Sequence, residues 1–123
     1  MIDPLSKLMQ LFVNPEHKIF QGACWCPPAD VYRNPQGWLI KFDLAGIKPE
    51  DIHISVQEHQ LKIHGTRRDF SSQEGQQSYV MEIAYNRFER ILELPMNLED
   101  VTIRSEYHNG MFFVHLLEKG NDA

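Results

Sequence analysis

The fold is decided by the stretch WLIKFDLAGIKPEDIHISV, residues 38–56. In its first half Ile40, Phe42 and Leu44 are apolar, and the residues between them are Lys41 and Asp43. After a turn that contains a glycine, apolar residues recur at every second position from 52 to 56. An alternation with period two places successive side chains on opposite faces of a β-strand. The stretch therefore predicts two strands, each with one buried face.

A second pattern indicates that the strands are antiparallel. Asn109-Gly110 lies between two runs rich in apolar residues, 101–107 and 112–117. Asn-Gly is preferred in two-residue hairpin turns, because both positions need a positive φ. Further alternating runs at 79–85 and 87–94 extend the pattern, so the chain is predicted to be all-β, a small antiparallel β-sandwich.

The size and charge of the chain argue against several classes of protein. Its 123 residues are enough for one domain with a core of its own. The formal net charge of −5 argues against nucleic acid as a partner, because phosphate binding needs a basic surface. No run approaches the roughly 18 uncharged apolar residues of a membrane span, and the first residues lack the pattern of a signal peptide. We therefore expect a cytoplasmic protein.

The first 28 residues differ from the rest and are interpreted as an arm in front of the domain. A helix is predicted over residues 4–12, because Asp3 can cap it and Pro4 suits its first position. One face of this helix is apolar, with the spacing i, i+3, i+4 and i+7. That face carries Leu5, Leu8, Met9 and Phe12. The predicted organisation is an arm at 1–28, a domain at 29–117 and a tail at 118–123.

Four longer motifs stand in chain order. They are FDLAGIKPEDI at 42–52, LKIHG at 61–65, RFERILELP at 87–95 and YHNGMFFVHL at 107–116. Together they resemble the small heat-shock proteins, which share the α-crystallin domain, and the resemblance covers residues 29–117. It implies an immunoglobulin-like β-sandwich. It also implies an ATP-independent holdase of the stress response, which binds unfolded or partly folded proteins through apolar surface.

The long polar loop at residues 66–85 is similar to that of the bacterial, archaeal and plant type. In that type a strand of the loop crosses to the partner subunit and pairs with its first strand, which makes a dimer. Here the crossing strand would be residues 79–85 and its acceptor residues 29–32. The resemblance thus implies a dimer interface formed by Tyr79, Met81, Ile83, Tyr85 and Val31.

The resemblance also implies a groove between the strand at 52–56 and the last strand, which a tail motif of the isoleucine-x-isoleucine type fills. The residues expected to line this groove and to bind clients are Ile52, Ile54, Phe112, Val114 and Leu116. Apolar residues occupy both faces of the last strand. It is therefore either a central strand covered on both faces or an interface, and we favour the interface. The apolar face of the arm could fill this groove or meet clients.

The tail motif is absent from residues 118–123. We therefore expect dimers or small oligomers rather than large shells, with the groove self-filled or open to the tail of another chain. One alternative is a structural partner that co-assembles with a longer paralogue. Another is a co-chaperone adaptor of the CS type, which shares the sandwich but lacks the long loop, so that residues 66–85 argue against it.

Two groups of potential metal ligands remain. The hairpin register places His53 opposite His64 on the outer face, where two imidazoles could bind Zn²⁺ or sense pH; we interpret them as solvated side chains. Cys24 and Cys26 make half a zinc site or a redox-sensitive pair, and a disulfide between such near neighbours would be strained. Motifs of catalytic or nucleotide sites are absent from the sequence, so neither an enzyme, a cofactor nor a resident metal is predicted.

Overall fold

The computed structural model describes residues 24–71 and 73–119 of the protein. Seven strands lie in this part of the chain: β1 (Ala29–Asn34), β2 (Gly37–Asp43), β3 (Ile52–Gln57), β4 (Gln60–Arg67), β5 (Asn86–Glu93), β6 (Val101–His108) and β7 (Met111–Glu118). Short 3₁₀ turns at Pro49–Asp51 and Leu98–Asp100 precede β3 and β6. The predicted arm helix at 4–12, with Leu5, Leu8, Met9 and Phe12, lies outside the described residues.

The strands form two antiparallel sheets. One has the order β1-β2-β7-β6 and the other the order β3-β4-β5, and every neighbouring pair is antiparallel. The sequence-based prediction of an all-β antiparallel sandwich is confirmed. Over the described residues, the chain contains no helix with the length and apolar character needed to cross a membrane.

The hairpin between β6 and β7 follows directly from its turn residues. Asn109 and Gly110 have φ angles of 52° and 79°, the left-handed conformation that a tight two-residue hairpin turn requires. The register continues from this turn, with His108 opposite Met111 and Tyr107 opposite Phe112. The predicted Asn-Gly hairpin is therefore confirmed.

The core lies where the inward faces of the two sheets meet. Alternate residues of each strand point into it, and their side chains are almost completely removed from water. The fully buried side chains from the strands are Ile40, Phe42, Leu61, Ile63, Phe88, Val114 and Leu116. Burial of each such side chain contributes roughly 1.5–3 kcal/mol to folding, so these alternating positions are what hold the sheets together.

The path of the chain shows which sheet edges lie on the same side of the sandwich. Trp25 N–H donates to Arg87 O at 3.1 Å, and Glu89 N–H donates to Trp25 O at 3.0 Å, so the residues before β1 run along the edge of β5. The free edges of β1 and β5 therefore lie on one side of the sandwich, and those of β3 and β6 lie on the other side. In agreement with this arrangement, Leu98 N–H, just before β6, donates to Glu58 O, just after β3, at 2.7 Å.

Candidate functional site

The loop between β4 and β5 presents an apolar surface to solvent. The side chains of Tyr79, Val80, Met81 and Ile83 are 98%, 65%, 53% and 65% exposed, and Phe70 is also exposed. Exposed apolar groups clustered on one segment indicate a contact with another molecule. We call residues 79–83 the apolar loop segment.

The predicted strand at 79–85 does not form within the single chain. Residues 79–85 are irregular and belong to neither sheet. The outer edge of β5, which follows this segment, pairs with Trp25 at Phe88, so the segment does not fold back onto that part of the edge. The predicted interface residues Tyr79, Met81 and Ile83 are consequently exposed, whereas Tyr85 is half-buried.

Arg67 anchors both ends of this loop. Its Nε donates to Ala45 O at 3.1 Å, its Nη1 donates to Ala84 O at 2.9 Å, and its guanidinium lies 4.3 Å from the centre of the Trp25 ring. A planar guanidinium can make these directional bonds and stack at the same time. The sequence alone does not reveal this role, because the partners of Arg67 come from three distant segments.

A pocket of about 440 Å³ lies at the foot of the loop. Its lining includes Ala45, Arg67, Phe70, Ile83 and Tyr85, so two of the predicted interface residues, Ile83 and Tyr85, face it. The pocket is mostly apolar and open to solvent, which suits an apolar side chain of a partner better than a small polar substrate.

The loop also contains a local polar anchor. The hydroxyl of Ser71 donates to the Asp69 carboxylate at 2.6 Å and the Ser71 backbone N–H donates to it at 3.0 Å. These hydrogen bonds, the hydroxyl first, lower the pKa of Asp69 below its usual range. The group is fully exposed, so its role is to shape the turn rather than to act in chemistry.

β1 offers an open sheet edge on the same chain. It pairs with β2 along one side only, and Val31 and Tyr32 on it are exposed. An unpaired edge presents backbone donors and acceptors to any strand that can lie beside it. The outer edge of the predicted acceptor strand and the predicted crossing segment are therefore both unpaired within the described chain.

The predicted groove beside the last strand is wrong in most of its residues. Phe112, Val114 and Leu116 point into the sandwich and are buried, and Ile52 is buried as well. The reason is the sheet order, since β7 lies between β2 and β6 and has no free edge. Of the predicted set, Ile54 is half-buried and reaches the surface.

The free edges that do face each other are those of β3 and β6. Half-buried apolar side chains pack against the rim of the core from both strands: Ile54, Val56, Val101 and Ile103. We call these four residues the edge strip. The alternation of β6 indicated which of its residues point inward, but Val56, Val101 and Ile103 were missed because strand order is not visible in the sequence.

Comparison with known proteins identifies relatives of this fold. The model of the Hsp20/alpha crystallin family matches residues 30–123. The chain is 28% identical over 93 residues to small heat shock protein C2 of Rickettsia felis, covering 76% of this chain and 60% of that protein. It is 29% identical over 94 residues to the 22.7 kDa class IV heat shock protein of Pisum sativum, covering 76% of this chain and 48% of that one.

A solved structure shows the same architecture. The crystal structure of hspA from Xanthomonas axonopodis superposes with a TM-score of 0.67 at 26% identity, covering 79% of this chain and 97% of that one. The chain thus spans about half to three-fifths of the length of the two relatives compared by sequence, whereas it spans nearly all of the solved domain.

Proposed function

The chain belongs to the Hsp20/alpha crystallin family of small heat-shock proteins, and on this basis we propose that it is an ATP-independent holdase. It would bind non-native proteins and keep them from aggregating, without acting as an enzyme. The observation that carries the proposal is the half-buried apolar edge strip, which lies on the side of the sandwich away from β1. Non-native proteins expose apolar side chains, and contact between two apolar surfaces removes both from water without nucleotide energy.

The proposed functional unit is a dimer of this chain. The apolar loop segment of one copy would lie along the open edge of β1 in the other, where backbone groups complete a sheet and apolar side chains are covered. Tyr79, Met81, Ile83 and Tyr85 would meet Val31 of the partner copy. Both cysteines are free thiols, which fits the reducing cytoplasm as the proposed compartment.

Holdase activity predicts a simple result with a model client. At equal mass, the purified protein should suppress most of the light scattering of a client that aggregates on heating, in buffer that contains no nucleotide. Addition of ATP should leave the suppression unchanged, and an inert protein at the same mass should give none. If client scattering is unaffected, the holdase proposal fails and a role as an adaptor for a folded chaperone gains support.

The edge strip is proposed to be the docking site for an isoleucine-x-isoleucine segment. Replacement of Ile103 by aspartate should weaken binding of a synthetic peptide with this motif by about 10–100-fold, since one apolar contact of about 1.5–3 kcal/mol is lost and a charge is placed in an apolar contact. Fluorescence anisotropy of the labelled peptide measures the affinity.

The matched control is Thr102→Asp, which introduces the same charge one position away on the exposed face of β6. It should bind the peptide as the natural protein does. Equal weakening by both substitutions would indicate a general effect of charge, and the edge strip would then not be the site. Far-UV circular dichroism shows whether both variants keep the fold.

A further inference from the structure

Three side chains of the kinds that bind metal ions lie in one row on the outer face of the three-stranded sheet. His53 of β3 pairs with His64 of β4, and His64 pairs with Glu89 of β5. The two imidazole rings are nearly parallel, with centroids 5.2 Å apart and an interplanar angle of 30°. The pairing expected from the hairpin register is therefore confirmed, and the two rings are held face to face.

Both rings are accessible to an ion. His53 is exposed and His64 is half-buried, and among the described residues the histidine rings that form hydrogen bonds are those of His59 and His115. Opposing Cβ atoms of an antiparallel pair lie about 4.5–5.5 Å apart on a rigid ladder. Rotation of the two side chains can therefore bring one nitrogen of each ring to the same ion without movement of the backbone.

Glu89 supplies a negative charge at the end of this row. Its Oε1 lies 3.2 Å from Lys62 Nζ, and the Cys24 thiol lies 3.9 Å from its Oε2. Metal-bound histidines commonly donate their second ring N–H to a carboxylate, which orients the ring. Glu89 is the cross-strand neighbour of His64, so a rotation of its side chain away from Lys62 would let it take this role.

We propose that His53 and His64 form a surface site for a divalent transition-metal ion such as Zn²⁺ or Cu²⁺, with Glu89 as the supporting carboxylate. Imidazole nitrogen is a preferred ligand of these ions. Among the described residues, no three histidine, cysteine or acidic side chains already surround a common point. In the proposed site the two histidines are the protein ligands, and water molecules occupy the remaining coordination positions of the ion. The ion is therefore expected to exchange with solution.

The test uses the full-length protein and Zn²⁺ alone, titrated in competition with a chromophoric chelator. The natural protein should bind one Zn²⁺ at this site. His53→Ala and His64→Ala should each weaken its binding by at least about tenfold, since loss of even an outer carboxylate from a metal site costs about 10–100-fold. Both side chains point away from the core, so circular dichroism should show an unchanged fold.

The matched control is His115→Ala, because His115 also lies beside a carboxylate, Glu106 Oε1 at 3.1 Å, but on the other sheet. It should bind Zn²⁺ as the natural protein does. With Cu²⁺, electron paramagnetic resonance should show two equivalent nitrogen ligands in the natural protein and in His115→Ala, and this signal should be lost in His53→Ala.

Two outcomes would overturn the proposal, and a third would remove its carboxylate. Unchanged Zn²⁺ affinity in either His53→Ala or His64→Ala would show that the imidazoles do not act as a pair. An equal loss of affinity in His115→Ala would show that binding is unspecific. Glu89→Gln should weaken Zn²⁺ binding by about tenfold, and unchanged affinity in this variant would remove the carboxylate from the site.

Discussion

Replacement of Tyr79, Met81 and Ile83 by serine should convert the protein from a dimer into a monomer. These side chains are large, apolar and more than half exposed in the single chain, so they gain the most from being covered by a partner. Multi-angle light scattering after size-exclusion chromatography measures the mass directly. The natural protein should elute with twice the mass of one chain or a small multiple of it, and the triple variant with the mass of one chain.

The dimer is expected to weaken strongly because the triple variant loses the burial of three large side chains at once. Complete burial of one such side chain contributes roughly 1.5–3 kcal/mol, and part of this gain offsets the entropy lost on association. A net loss of about 4 kcal/mol already weakens the dimer about a thousandfold. A natural dimer with a nanomolar Kd would become one with a micromolar Kd, so samples below that concentration contain mostly monomer.

The control for this prediction lies in the same loop. Gln76→Ser and Gln77→Ser change two exposed polar side chains just before the apolar loop segment, and the dimer should persist in that double variant. A triple variant that still has the mass of a dimer would place the interface elsewhere, with pairing between sheet edges as the next arrangement to test. The holdase proposal does not depend on that outcome, since client suppression is measured separately.

Replacement of Phe88 by alanine should lower the free energy of unfolding by about 3–5 kcal/mol. Phe88 is 1% exposed and lies at the centre of a stack that joins distant parts of the chain. Its ring is 5.4 Å from that of Trp25, and it fills the space above Gly65, where a Cβ would lie 2.7 Å from the Phe88 ring. Alanine leaves a cavity between Gly65 of β4 and the Trp25 ring, so packing is lost on both sides.

Urea denaturation followed by tryptophan fluorescence measures this loss, because Trp25 reports on the same contact. The matched control is Ile91→Ala, on the same strand but 50% exposed, which should cost about 1 kcal/mol or less. Similar losses in the two variants would show that the contact between Phe88, Gly65 and Trp25 contributes no more than a surface position.

Much of the fold could be predicted from the sequence because its determinants are local. Alternation with period two shows which residues of a strand share a face, and Ile40, Phe42, Leu61 and Ile63 are indeed buried. The Asn-Gly pair gives the hairpin between β6 and β7 with its register, because backbone conformation there depends on two residues only. The same local reasoning placed His53 opposite His64.

The candidate binding surfaces were less predictable from the sequence, because they depend on which edges of the two sheets are free. The last strand is apolar on both parities, and this pattern is the same for a central strand and for an interface strand. Sheet order shows that β7 is central, so Phe112, Val114 and Leu116 belong to the core. Phe113 and Leu117 on its other face are half-buried. The edge strip comes instead from β3 and β6, whose free edges lie on the same side of the sandwich.

The sequence by itself determined the seven strands that form, their inward faces, the hairpin turn and the family, but it also predicted a strand at 79–85 that does not form. Only the tertiary structure decided that Trp25 pairs with the edge of β5 at Phe88, that Arg67 ties together three segments, and that residues 79–83 pair with no strand of the described chain. The physical reason is the range of the interactions. Turn conformation and side-chain direction depend on neighbours in sequence. Strand order and edge pairing depend instead on contacts between residues far apart along the chain, and the same alternating sequence pattern is compatible with several strand orders.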